Sequence, residues 1–221
     1  MGSLTAGQVK TAYLKHLRAG LRERGFCGGP EGKFDRVREG GTDNFLIRLR
    51  AFGRGETKVD VLTLGMGVTI GEAEQEAADL RGAPVNPERV TLVTDLLAPG
   101  QPGAGSFGSG REALAATTLE SAEQKSAEVL ELIDEQAEPW WSSHRQAATV
   151  LDEMWASNRY HGIDALETVA VLARRLGRDQ LVNEILAAHQ ADLDRRGADH
   201  PAFEPNRRWR DAFSHSSFGG E

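Results

Sequence analysis

From Asp43 to Phe52, Phe45, Ile47, Leu49 and Ala51 alternate with Asn44, Leu46, Arg48 and Arg50. A period of two marks a strand with one buried face. No other stretch constrains the fold as much, because the wrong parity would put two arginines into the core. Gly53-Arg54-Gly55-Glu56 then reads as a turn, and Thr57 to Leu64 starts a second strand. Two such runs joined by a short glycine-containing loop predict an antiparallel hairpin. Its apolar face needs a helix to cover it. The predicted fold class is α+β: an N-terminal helix packed on an antiparallel β-meander, followed by an all-helical C-terminal region.

The covering helix is found upstream. Thr5-Ala6-Gly7-Gln8 fits a capping box, and Val9, Tyr13, Leu14, Leu17 and Leu21 follow at helical spacing. Gly25 ends it. Lys33 to Arg38 reads as a short strand with Phe34 inward, and Gly40-Gly41 turns into the hairpin. Glycines at Gly65 and Gly67 point to a bulge or a close backbone approach. Residues 72–80 are either a short helix or a loop, and residues 89–94 fit another strand.

Five glycines and two prolines between Pro99 and Gly110 predict a joint. The expected division is a meander domain over 1–97, a joint over 98–110, a helical region over 111–197 and a flexible tail over 198–221. Ser109-Gly110-Arg111-Glu112 reads as a second capping box opening a long helix, which Pro139 is expected to stop. Ser143 is then expected to cap a helix bearing Val150, Leu151 and Met154. Two helices over 164–196 meet at Gly177 as an antiparallel pair.

This order resembles the bacterial domain-of-unknown-function 4304 group over residues 5–141. The likeness rests on Arg24-Gly25-Phe26, Gly32-Lys33-Phe34, Leu64-Gly65-Met66-Gly67-Val68 and Pro139-Trp140-Trp141. The gap from Gly32 to Phe34 is shorter than in that group, and a glycine joint precedes the tryptophans. The resemblance implies an α+β fold, no known activity and no catalytic residue.

Charge narrows the function. The net charge is -7 over 221 residues. Residues 1–97 carry 14 basic against 13 acidic side chains, and residues 98–221 carry 12 against 20. Bulk nucleic-acid affinity rests on clustered Lys and Arg releasing counterions, so nucleic acid is not the expected partner. Cys27 is the single cysteine, which excludes an internal disulfide and a multi-cysteine metal site. Between a reactive thiol and a small buried residue, it reads as the buried one. No basic start with an apolar run predicts a signal peptide, and Ala6 stands where a myristoylation signal wants Ser or Thr. No stretch approaches the roughly 20 apolar residues of a membrane span. A cytoplasmic protein with no membrane partner is expected.

No motif supplies a catalytic residue, a cofactor or a metal. Gly103-Ala104-Gly105-Ser106-Phe107-Gly108 matches G-x-G-x-x-G, but helices follow it where a dinucleotide fold needs a strand ending in an acid. It reads as a linker. His16, His144, His161, His189, His200 and His215 form no His-Glu-x-x-His pair. His161 lies three residues before Asp164, and His189 three before Asp192, a spacing open to metal ligation or to a solvated helix end. Ser142-Ser143-His144 lacks a buried acid for a triad. Trp140, Trp141 and Trp155 read as core.

The candidate interaction surface is Arg36, Arg38, Arg48 and Arg50 in the meander, on the condition that they share a sheet face. Without that condition they are an ordinary solvated face. The expected function is a bacterial macromolecular interaction or accessory module, of toxin-neutralising or defence type, with another protein as partner. The alternative is an enzyme whose site lies between the meander and the helices and carries no recognisable motif.

Overall fold

A computed structural model describes residues 4–28, 32–52, 57–86, 89–97, 111–156 and 163–216. The architecture is α+β as expected: an N-terminal helix, a five-stranded antiparallel sheet and a helical C-terminal region. The chain divides into two compact units, 1–68 with 93–145 and 69–92 with 146–221. Each unit draws on chain from both sides of the 98–110 joint, which itself lies outside the described residues. This differs from the division into 1–97 and 111–197.

In the first unit, α1 spans Ala6–Glu23. Thr5 accepts from the Gln8 N–H while the Gln8 side chain accepts from the Thr5 N–H, so both orphan donors are satisfied. Its buried face is Val9, Tyr13, Leu17 and Leu21. The sheet runs in the order β1 (Cys27–Gly28), β2 (Lys33–Arg38), β3 (Gly41–Phe52), β4 (Lys58–Thr69) and β5 (Leu92–Asp95). α1 packs against β3 and against α3 (Leu119–Leu132).

Parity holds where it was expected. Ile47 and Leu49 are buried while Arg48 and Arg50 are exposed. Ile47→Ala is expected to cost about 2–5 kcal/mol, the range for truncating a buried aliphatic. Arg48→Ala is expected to stay within about 0.5 kcal/mol. Denaturant midpoints of the two variants check this, and equal losses would mean that the arginine face is covered.

β4 continues through Gly65 and Gly67 to Thr69. A Cβ on Gly65 would stand 3.2 Å from the Thr94 carbonyl oxygen on the neighbouring strand, so the glycine permits a close backbone approach. Cys27 is exposed on the two-residue edge strand and is not a core residue. Its strand is too short to bring a covering element.

The capping box expected at Ser109 lies outside the described residues. Arg111–Leu114 forms a single 3₁₀ turn, and α3 begins later, capped by Thr118 with Ser121. Pro139 does not stop the helix. A wide π turn over Ile133–Ala137 precedes it, and α4 (Glu138–Ser143) continues. The Glu138 N–H bonds to the Ile133 carbonyl, five residues back, which takes up the register that proline would break. Ser143 is therefore the last residue of α4 rather than a cap, and its hydroxyl donates to the Trp140 carbonyl at 2.8 Å.

Tyr13 is fully buried, with its hydroxyl 3.3 Å from the Lys125 carbonyl oxygen. Burial, then the nearby Glu128 carboxylate, pushes the phenol well above its ordinary value. The folded value lies above the unfolded one, so this stabilisation is complete below about pH 10 and is lost as pH rises beyond it. Tyr13 is expected to ionise only as the first unit unfolds. Tyrosinate absorbance and far-UV circular dichroism should change together in alkali for that tyrosine. Tyr13→Phe should remove the coupled absorbance step.

The second unit holds α2 (Gly71–Arg81), α5 (Ala147–Ala156), α6 (Ile163–Arg175), α7 (Asp179–Arg196) and α8 (Phe203–His215). Residues 72–80 thus lie in a helix. Gly177, at φ 65, makes the tight joint between α6 and α7. α6 is buried on every side from Leu166 to Ala173. The tail expected over 198–221 contains α8, whose Trp209 and Phe213 are buried. Spaced four apart, these rings lie on one helical face. α8 packs on α2, α6 and α7. No described helix is long and apolar enough to cross a membrane.

Candidate interaction face and buried polar clusters

The four meander arginines do not share a face. Phe34 pairs with Phe45 and Arg36 with Asp43 across β2 and β3. Directly opposed residues lie on the same side of a sheet, and successive residues alternate. Arg36 and Arg38 therefore lie on the side of Phe34, Phe45 and Ile47. Arg48, Arg50 and Phe52 lie on the other.

The inner pair is occupied. Arg36 donates to Asp43 at 2.9 and 3.0 Å and to Glu138 at 2.6 Å. Arg38 meets the same two carboxylates at 2.5 and 3.0 Å. The Arg36 guanidinium also lies 4.4 Å from the Phe26 ring centre and 5.1 Å from that of Trp141. Burial raises the Asp43 carboxyl above the usual range even though both arginines pull it down. At Glu138 burial is outweighed by the Arg36 hydrogen bond and the two arginine charges, and the carboxyl is lowered. Arg36 and Arg38 thus join the sheet to α4 and leave the candidate surface.

Arg48 and Arg50 are exposed, and among the described residues neither has a carboxylate within 4.0 Å. The Arg50 guanidinium lies 4.7 Å from the Phe52 ring centre. The outer face is closed at Asn44, which is buried, and open from Arg48 onward.

The histidines divide by burial. His16 is partly exposed, 3.8 Å from Glu123. His144 is buried, its Nδ1 2.8 Å from the Trp140 carbonyl and 2.9 Å from the Ser143 hydroxyl. The Ser143 hydroxyl donates to the same Trp140 carbonyl at 2.8 Å, so its proton is directed to the backbone and not to the ring. His200 and His215 are exposed, and His161 lies outside the described residues. His189 does not work with Asp192, which pairs with Arg195 and Arg196 at 2.9 and 2.6 Å. Among the described residues no three His, Cys, Asp or Glu side chains are grouped to hold a metal ion.

Two buried carboxylates in the second unit escaped the sequence reading. Glu74 on α2 accepts from the Thr91 hydroxyl at 2.8 Å and the Thr168 hydroxyl at 3.1 Å, with Arg89 Nε at 2.9 Å. Glu167 on α6 is fully buried. It accepts from Arg81 Nε at 2.8 Å and from Asn206 at 2.7 Å, with His189 Nε2 at 3.6 Å. The His189 ring lies 5.0 Å from that of Trp209. A carboxylate beside an imidazole can move a proton, but both side chains have no exposed surface, so no substrate touches them as placed. The cluster's visible role is to join α2, α6, α7 and α8. The readable signal was Val169-Ala170-Val171-Leu172-Ala173, too apolar for a helix with a solvated face.

No protein-family profile, curated protein or solved structure matches the chain.

Proposed function

We propose that the chain is a cytoplasmic bacterial accessory module that binds another protein through the outer face of β3. The observation behind this reading is the row of Arg48, Arg50 and Phe52 at alternate positions on strand β3, with both arginines exposed and free of described carboxylate partners. Rigid elements present a binding row better than loops do. The single cysteine supports a reducing compartment.

The test is affinity capture from a bacterial lysate, followed by mass spectrometry, with wild type and the Arg48→Glu/Arg50→Glu variant side by side. A protein retained by wild type and lost by the variant supports the reading, given equal thermal stability of the two baits. Identical captured sets would sink it.

A further inference from the structure

The fold already shows how this chain satisfies a pair of arginines. On the inner face, Arg36 and Arg38 stand at alternate positions of β2, and two carboxylates bridge them. One is Asp43 on the next strand, and the other is Glu138 on a helix. On the outer face, Arg48 and Arg50 stand at the same alternate spacing on β3, and among the described residues no carboxylate bridges them. Alternate residues on one strand face lie about 7 Å apart. Carboxylates two apart on an extended segment repeat that spacing.

We propose that the outer face of β3 takes an acidic peptide segment, with one carboxylate on each of Arg48 and Arg50. This rests on the interaction face proposed above and adds the chemistry of the partner. Arginine presents a planar fork that meets carboxylates bidentately, so a pair of them selects acids by geometry as well as charge. Phe52 holds the Arg50 guanidinium over its ring, which lowers the ordering cost of engaging it. The Phe52 side chain, half-buried, offers apolar contact beside the charged pair. Phosphates along a single-stranded nucleic acid have a comparable spacing. The net charge of -7 repels a polyanion from the rest of the molecule, whereas a short acidic segment meets only the local field.

The experiment measures fluorescence anisotropy of a labelled peptide of alternating glutamate and serine on the full chain at low salt. A lysine–serine peptide and a single-stranded oligothymidine serve as counter-probes. Wild type is expected to bind the acidic peptide and to lose affinity as salt rises. Arg48→Glu with Arg50→Glu should weaken binding by about tenfold or more, the loss expected of reversing two contact charges. Arg48→Gln with Arg50→Gln should give an intermediate loss. Lys15→Glu, an exposed charge on α1, should leave it unchanged. Equal binding by all variants overturns the proposal, as does tighter binding of the oligothymidine. If the acidic peptide fails to bind while lysate capture still depends on Arg48 and Arg50, the face stands and its acidic chemistry falls. If both fail, the interaction reading falls with it.

Discussion

Arg81→Met is expected to destabilise the second unit by about 3–5 kcal/mol, the usual cost of stranding a buried charge. Glu167 has no exposed surface, and Arg81 reaches its Oε2 through both Nε and Nη2. Removing the guanidinium leaves the carboxylate with Asn206 as its one remaining close donor among the described residues. His189 Nε2, at 3.6 Å, is too far for a good hydrogen bond. The double variant Arg81→Met/Glu167→Met should recover most of the loss, because a hydrophobic pair avoids the desolvation that the ion pair must overcome. Denaturant midpoints of wild type, both single variants and the double variant form the cycle. A double variant as unstable as the sum of the singles would mean that the two side chains act independently.

This ion pair marks the limit of what the sequence disclosed. The β3 hairpin was legible because parity is local: ten residues determine which side chains face inward. The α1 capping box and the Gly177 joint were legible for the same reason. Arg36 and Arg48 look alike in sequence, and only the β2–β3 register separates them onto opposite faces. Glu167 looked like an ordinary helix acid, because Arg81, Asn206 and His189 are distant in sequence and meet it only through tertiary packing. Pro139 misled for a related reason. Its local rule is to break a helix, and the π turn before it satisfies that rule without ending the helix.

Polarity dominates the stretch after Gly197, yet three side chains at helical spacing are enough to dock α8. Asn206, Trp209 and Phe213 are all buried, and Trp209 stacks on Phe213 with ring centres 4.8 Å apart. The Arg174 guanidinium lies 3.7 Å from the Phe213 ring centre and donates to the Phe213 carbonyl at 2.9 Å. Trp209→Ala should therefore cost about 3–5 kcal/mol, the range for emptying a large aromatic site. For a chain of this length that is a fall in melting temperature of roughly 6–20 °C. Trp209→Phe should cost less. Trp209 Nε1 is buried with no hydrogen-bond partner among the described residues, so removing it relieves an unsatisfied donor while most of the ring remains. Truncation after Ala202 should cost at least as much as Trp209→Ala, since it also strips Asn206 from Glu167. Thermal denaturation followed by circular dichroism ranks the three variants. A truncated chain that melts with wild type would show that α8 contributes nothing to the second unit, and the order of the two tryptophan variants separates lost volume from the unpartnered indole N–H.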